Sequence, residues 1–135
     1  MKTRIILVGA LIVVGLLGVG TFASRGGGEV SGSRQWTLVN FIDPVSVMGN
    51  LVMGPVMIVH DEQKMASGEA CTTFYRFDPS RGPREEIVSF HCTPIQRTVA
   101  SSTTLTVVKG HDAGCKKLVE YQIAGDSEAH AIPER

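Results

Sequence analysis

Residues 71–92 read CTTFYRFDPSRGPREEIVSFHC, and this stretch decides the fold class of the chain. Two segments rich in aromatic and β-branched residues flank residues 78–82, which are typical of a turn. This pattern predicts a β-hairpin. If Cys71 lies directly opposite Cys92, the alternation of side chains gathers the apolar residues of the hairpin on one face. That face then carries Cys71, Tyr75, Phe77, Val88, Phe90 and Cys92.

The pairing of the two cysteines and the burial of the aromatic residues require the same register, so a disulfide between Cys71 and Cys92 is predicted. In the chain-entropy model, a cross-link that closes a loop of this length stabilises a domain by roughly 3 kcal/mol. The third cysteine, Cys115, is then a buried thiol, an intermolecular partner or the true partner of Cys92. The alternative is that Cys71 and Cys92 are small buried hydrophobic residues.

The rest of the domain follows a period of two residues and not the helical period of 3.6. Further strand-like segments occupy residues 36–42, 45–53, 56–60, 103–109 and 118–124. Residues 62–66 favour one short helical turn. Six or seven short strands in about ninety residues predict a mostly β fold, a small antiparallel β-sandwich or barrel.

The N-terminal segment predicts export from the cytoplasm. Lys2 and Arg4 precede an uncharged apolar stretch over residues 5–23, as in a secretory signal peptide. As a helix this stretch would be roughly 28 Å long, which also suits an uncleaved transmembrane anchor. Both interpretations place the rest of the chain outside the cytoplasm. The expected location is the periplasmic face of the inner membrane, or the exterior if the leader is cleaved.

The chain is expected to have four parts. They are a leader or anchor helix at residues 1–23, a Gly/Ser-rich tether at 24–34, a β domain at 35–125 and a C-terminal tail at 126–135. Basic and acidic residues number 13 each, and without a basic stripe nucleic acid is not an expected partner. The expected partners are the membrane, through residues 5–23 if they are retained, and a protein of an envelope complex.

A candidate metal site uses His60, His91, His130 and Cys115. Imidazole and sulfur ligands suit copper or zinc, and several methionines lie nearby in the sequence. His91 and Cys92 are neighbours on a strand, so their side chains should face opposite ways and not share one ion. The alternative, in which no cofactor binds, is that the methionines fill gaps in the core and the histidines lie at strand ends.

No catalytic residues are predicted, so an enzyme is less expected than a binding protein. The chain has no nucleophile-elbow motif, and Glu85 and Glu86 point apart because they are adjacent in a strand. Arg76, Arg81 and Arg84 surround the hairpin turn and are candidate contacts for an anionic ligand. Ion pairs with neighbouring carboxylates explain these arginines equally well.

Four blocks of the domain are distinctive. They are VMGPVMIVHD at residues 52–61, GEACTT at 68–73, FHCTP at 90–94 and EYQIAGD at 120–126. In these blocks the chain resembles a group of small, exported, uncharacterised bacterial proteins. The resemblance covers roughly residues 40–132 and implies export and a shared domain, with no activity attached.

The sequence therefore predicts an exported, membrane-tethered β domain with a binding or structural role, such as an accessory subunit of an envelope assembly. The alternative is an extracytoplasmic metal-handling domain in which His60 and His91 bind copper or zinc. Elemental analysis separates these two functions.

Overall fold

The computed structural model describes residues 27–31, 34–111 and 114–134, and the side chains from residue 34 onward. The protein is mostly β, with 64% of residues in strands and almost no helix, so the predicted fold class is confirmed at this level. The predicted leader helix lies outside the described residues. Within the described ranges, no helix has the length and apolar character needed to cross a membrane.

Nine strands and one short helix follow one another in the described residues. They are β1 (Gly27–Ser31), β2 (Arg34–Val47), β3 (Asn50–Asp61), α1 (Glu62–Ala66), β4 (Thr72–Asp78), β5 (Gly82–Phe90), β6 (Thr93–Gln96), β7 (Thr104–Lys109), β8 (Lys116–Gln122) and β9 (Glu128–Ala131). The two longest strands, β2 and β3, are joined by Met48 and Gly49, which both have positive φ. Tight hairpins favour this geometry because it matches the twist of the strands.

The strands form one sheet that curls into a half-barrel. Their order is β5-β4-β3-β2-β8-β9-β6, with β1 added to β2 and β7 added to β8. All pairs are antiparallel except β2 with β8, which is parallel at Val45 and Ser46. The edge strands β5 and β6 follow each other in the chain, separated only by His91 and Cys92. We call this two-residue connection the seam.

One face of the sheet, which we call the inner face, carries the hydrophobic core. Along β3 the alternation is regular, because Val56, Ile58 and His60 are buried whereas Met57 and Val59 are half-buried. The core comprises Phe41, Val45, Val47, Val52, Val56, Ile58, Cys71, Phe74, Phe90, Cys92, Leu118, Tyr121, Ile123 and Ile132. The inner face of the half-barrel therefore also buries one histidine of β3.

The hairpin of β4 and β5 forms, but its register differs by one residue from the predicted register. Phe74 lies opposite Val88 and Thr72 lies opposite Phe90, whereas the prediction set Tyr75 opposite Val88. A shift of one residue exchanges the two faces of a strand. Phe74 is therefore fully buried, and Tyr75 is only half-buried.

The predicted register was wrong because it placed both cysteines inside the paired strands. Cys71 precedes β4, and Cys92 lies in the seam after β5. Cys92 keeps the alternation of β5, because Phe90 and Cys92 are buried and His91 is exposed, whereas Cys71 and the adjacent Thr72 are both buried. Phe77, also predicted for the buried face, is half-buried near a bulge at the end of β4.

Two segments that the sequence analysis assigned to a tether and a tail are paired in the sheet. β1 lies within the predicted tether and pairs with the start of β2. β9 lies within the predicted tail and pairs with both β8 and β6. The position of β9 places His130 in the interior, where its side chain is fully buried.

The helix α1 forms where it was predicted, and Asp61 is its N-cap. The Oδ1 atom of Asp61 accepts hydrogen bonds from the backbone N–H groups of Gln63 and Lys64, both at 3.1 Å. Such caps pair donors that the first turn of a helix leaves free. The hydrogen bond from Lys64 and the guanidinium of Arg34 lower the pKa of Asp61.

Candidate metal centre

Four sulfur and imidazole side chains meet in the interior of the half-barrel. His60 lies near the end of β3, Cys71 just before β4, Cys92 in the seam and His130 on β9. All four are buried, with exposed fractions of 2% for Cys71 and 0% for the other three. We call these four residues the Cys–His cluster.

The shortest contact in the Cys–His cluster joins its two sulfur atoms. The Sγ atoms of Cys71 and Cys92 lie 2.7 Å apart. A ring nitrogen of His60 and these two sulfurs all lie within 4.8 Å of one another. The Nδ1 atom of His130 is 3.7 Å from Cys92 Sγ, and the thioether sulfur of Met65 is 3.9 Å from it. Three ligand atoms are therefore within reach of one ion. The His130 nitrogen and the Met65 sulfur lie next to them.

Three ring nitrogens of the Cys–His cluster have no hydrogen-bond partner within the described part of the chain. They are Nδ1 and Nε2 of His60 and Nε2 of His130. Buried polar atoms are nearly always paired, because an unpaired one costs about 1–3 kcal/mol. A neutral imidazole has one nitrogen lone pair, so a cation bound between the sulfurs and the rings would use one nitrogen of each ring and leave the other as an N–H donor.

Burial favours the neutral forms of His60, Cys92 and His130. Desolvation lowers the pKa of His130 to about 3, and the neighbouring His60 contributes to the shift. Desolvation also lowers the pKa of His60, and it raises the pKa of the Cys92 thiol to about 12. Neutral imidazoles can bind a metal without losing a proton, whereas each thiol must release one. Metal binding would therefore release protons from the cysteines only.

Tyr121 of β8 forms the wall of the Cys–His cluster next to His130. Their ring centroids lie 5.0 Å apart. The hydroxyl groups of Tyr121 and Thr72 share a hydrogen bond of 2.5 Å, and both residues are fully buried. Burial raises the pKa of Tyr121 well above its usual value. The wall is therefore a neutral aromatic ring with a paired hydroxyl, which excludes water from the cluster.

His91 of the predicted metal site lies outside the buried cluster. Its side chain is exposed, and Nδ1 lies 2.8 Å from the backbone carbonyl oxygen of Glu69. Cys92, the next residue, points inward, as the sequence argument expected for neighbours facing opposite ways. The nearest sulfur to the His91 ring is that of Cys71, at 3.9 Å from Nδ1.

The remaining predicted site residues are exposed or half-exposed. Cys115 is half-exposed just before β8, and its Sγ contacts the carbonyl oxygen of Lys116. Arg76 forms an ion pair with Glu85 at 2.8 Å. The other two hairpin arginines are exposed: Arg81 is in the hairpin turn and Arg84 lines a pocket on the opposite face of the sheet.

The sequence analysis assigned Cys71 and Cys92 to a disulfide and left them out of the metal-ligand set. The structure places them beside His60 and His130, two of the four residues in that set. The only local signal for this grouping is the short distance in sequence between His60 and Cys71, with α1 folded between them. The approach of His130 depends on the pairing of β9 with β8, which no local pattern predicts.

The two sulfurs are placed for two kinds of chemistry. Two thiolates bound to one tetrahedral zinc ion at about 2.3 Å are roughly 3.8 Å apart, and the sulfurs of a disulfide are about 2.05 Å apart. The observed separation of 2.7 Å lies between these values. A movement of about 1 Å therefore suffices for either state, and the two states exclude each other because each uses both sulfurs.

Comparisons with protein-family models, with curated proteins and with solved structures find no match to this chain. The Cys–His cluster is therefore the feature from which a function can be inferred.

Proposed function

We propose that this protein is an extracytoplasmic metal-binding domain that holds one soft cation in the Cys–His cluster. Cys71, Cys92 and His60 are the first three ligands, and His130 is the fourth after a small shift. The observation that carries the proposal is that a ring nitrogen of buried His60 lies within 4.8 Å of both buried sulfurs, and that neither nitrogen of this ring has a hydrogen-bond partner within the described residues. The apolar leader supports a location outside the cytoplasm.

Charge balance favours zinc as the cation. As thiolates, Cys71 and Cys92 supply two negative charges, and the neutral rings of His60 and His130 supply none. A divalent ion would make the buried group neutral overall, which avoids the cost of several kcal/mol for each unpaired ion in a protein interior. Copper(I) also suits sulfur and imidazole ligands, and Met65 would strengthen its binding, but it would leave one negative charge buried.

A second candidate function follows from the short sulfur–sulfur distance. If Cys71 and Cys92 are oxidised outside the cytoplasm, they form the predicted disulfide and the domain holds no metal. The protein would then act as a disulfide-stapled binding or structural domain, such as an accessory subunit of an envelope complex. Both nitrogens of the buried His60 ring would then be without a partner among the described residues, which is why we favour metal binding.

Elemental analysis of the full-length protein, purified from its own envelope without chelator, tests the proposal. We expect close to one zinc per chain. The variants Cys71→Ser, Cys92→Ser and His60→Gln should each weaken zinc binding by at least 100-fold, since changes in outer-shell groups alone cost 10- to 100-fold. Cys115→Ser is the matched control and should keep its zinc.

The fold of each variant is checked by circular dichroism, because a misfolded variant would lose metal for a trivial reason. His60→Gln is the most informative variant, since it leaves both cysteines in place. The proposal is wrong if reduced, folded protein neither contains metal as purified nor binds zinc or copper(I) in competition with a chelator. It is also wrong if His60→Gln binds zinc as tightly as the unaltered protein.

A further inference from the structure

A pocket of about 420 Å³ lies on the outer face of the sheet, opposite the core. Trp36, Met57, Val59 and Tyr75 form its apolar floor. These four residues adjoin one another across β2, β3 and β4, because Trp36 pairs with Val59 and Met57 pairs with Tyr75. The volume is within the range of small-molecule sites, about 300–1,000 Å³.

The rim of the pocket is positively charged. Arg34, Lys64 and Arg84 line it together with one carboxylate, Asp61, so three cations against one anion give a net charge of +2. Arg34 forms an ion pair with Asp61 at 3.0 Å. Within the described residues, neither Lys64 nor Arg84 has an ion-pair partner. Such a rim attracts anions and repels a free divalent cation.

Cys71 belongs both to the lining of this pocket and to the Cys–His cluster. All four cluster residues are buried, Cys71 with an exposed fraction of 2%, and of the four only Cys71 also lines the pocket. A molecule in the pocket is therefore separated from the cluster by Cys71. The pocket and the metal centre lie on the two sides of this one residue.

We infer that the pocket binds small polycarboxylate chelates of the cation and that the ion passes from them to the Cys–His cluster through Cys71. This inference rests on the proposed metal-binding function. The carbon skeleton of the chelate packs on the floor around Trp36 and Tyr75, and its free carboxylates pair with Lys64 and Arg84. An anionic complex overcomes the repulsion that a hydrated zinc ion would meet at this rim.

The transfer is a ligand exchange without a change of oxidation state. A zinc–carboxylate bond breaks as the Cys71 sulfur bonds to zinc, and the thiol proton passes to water. A second exchange of the same kind joins zinc to Cys92. The free chelator then leaves the pocket with its negative charge restored.

The first experiment tests the pocket without metal. Trp36 is the only tryptophan of the chain, so its fluorescence reports on the pocket directly. Citrate is titrated into reduced, metal-free, full-length protein. We expect a saturable fluorescence change. The double variant Lys64→Gln/Arg84→Gln should bind citrate with at least tenfold lower affinity than the unaltered protein. The control variant Lys109→Gln/Lys116→Gln removes two exposed cations outside the pocket and should bind citrate normally.

The second experiment measures the rate of zinc transfer from the nitrilotriacetate complex, which is an anion, and from aquated zinc. Lys64→Gln/Arg84→Gln should slow transfer from the chelate about tenfold, within the range of electrostatic steering, and leave the final zinc content unchanged. If its citrate affinity and transfer rate equal those of the control variant, the inference is overturned while metal binding stands. If neither the unaltered protein nor any variant binds zinc at equilibrium, both the proposed function and the proposed transfer are wrong.

Discussion

The imidazole rings of His60 and His130 stack in the protein interior with their centroids 3.9 Å apart and their planes inclined by 31°. One ring comes from β3 and the other from β9, so the contact exists only in the folded sheet. Two protonated rings at this distance would repel each other in a medium that solvates charge poorly. The stability of the fold should therefore depend on pH. The affinity of the Cys–His cluster for a metal should in turn depend on both rings being neutral.

Metal-free protein should lose stability in acid. An unfolded histidine has a pKa near 6.5, whereas burial lowers the pKa of His130 to about 3 and also lowers that of His60. Above pH 6.5 both states are neutral, so the full stability is present. Below pH 6.5 the unfolded chain binds protons first, and stability falls as the pH approaches 3. His130 alone should account for roughly 2–3 kcal/mol between pH 6.5 and 4.5.

Urea unfolding at a series of pH values, with chelator present, measures this effect. His130→Phe should flatten the dependence, since only His60 of the pair remains. The control His111→Gln changes an exposed histidine and should leave the dependence as it was. A pH dependence that is the same in His130→Phe and in the unaltered protein would show that His130 titrates as freely when folded as when unfolded.

Bound zinc should protect Cys71 and Cys92 from oxidation. Oxidised glutathione accepts two electrons and two protons when the two thiols form a disulfide, and it leaves as two glutathione thiols. Because both sulfurs are needed for either state, zinc-loaded protein should form this disulfide at least about tenfold more slowly than metal-free protein. Alkylation before reduction, followed by mass spectrometry, measures the free thiols, and the half-exposed Cys115 should be alkylated in both samples. Equal rates of oxidation would place the metal elsewhere.

The register of the β4–β5 hairpin can be tested by two phenylalanine substitutions. Phe74 is fully buried, so Phe74→Ala should lower the free energy of unfolding by about 3–5 kcal/mol. Phe77 is half-buried, and Phe77→Ala should cost roughly 1–2 kcal/mol, because less apolar surface is lost. Urea midpoints of the two variants give the comparison. The opposite order would support the register that pairs Cys71 with Cys92.

The buried hydrogen bond between Thr72 and Tyr121 should show strong coupling between its two partners. Tyr121→Phe leaves the Thr72 hydroxyl without its oxygen partner, and we expect a loss of about 1–3 kcal/mol. Adding Thr72→Val replaces both polar groups by apolar ones and should recover most of the loss. Tyr75→Phe, on the outer face, is the control and should change stability little. If the two losses simply add, the hydroxyl groups contribute separately.

Local pattern was enough to predict much of this fold. The short apolar run at residues 56–60 predicts a strand, and the structure has a strand there. The turn residues between β4 and β5 predict a hairpin, and the hairpin is present. These features depend on neighbours in the sequence, which is why they can be predicted from one chain.

The Cys–His cluster could be predicted only in part, because it depends on contacts between distant segments. His60 and His130 were both candidate ligands, but their approach requires β9, a strand too short to show a periodic pattern. Cys71 and Cys92 lie close together, but the predicted disulfide between them is not formed and the predicted register is wrong. The error arose at Cys71, which lies one residue before β4 and is buried together with its neighbour Thr72, so alternation does not decide which way its side chain points.

The seam has a consequence for the association of this protein with itself. Only His91 and Cys92 join β5 to β6, and these are the two edge strands of the sheet order. Unpaired strand edges readily recruit strands from other molecules. Under the proposed function, a cation at Cys92 would link the seam to Cys71 beside β4 and so restrain both edge strands. Metal binding would then also reduce edge-to-edge association of the domain.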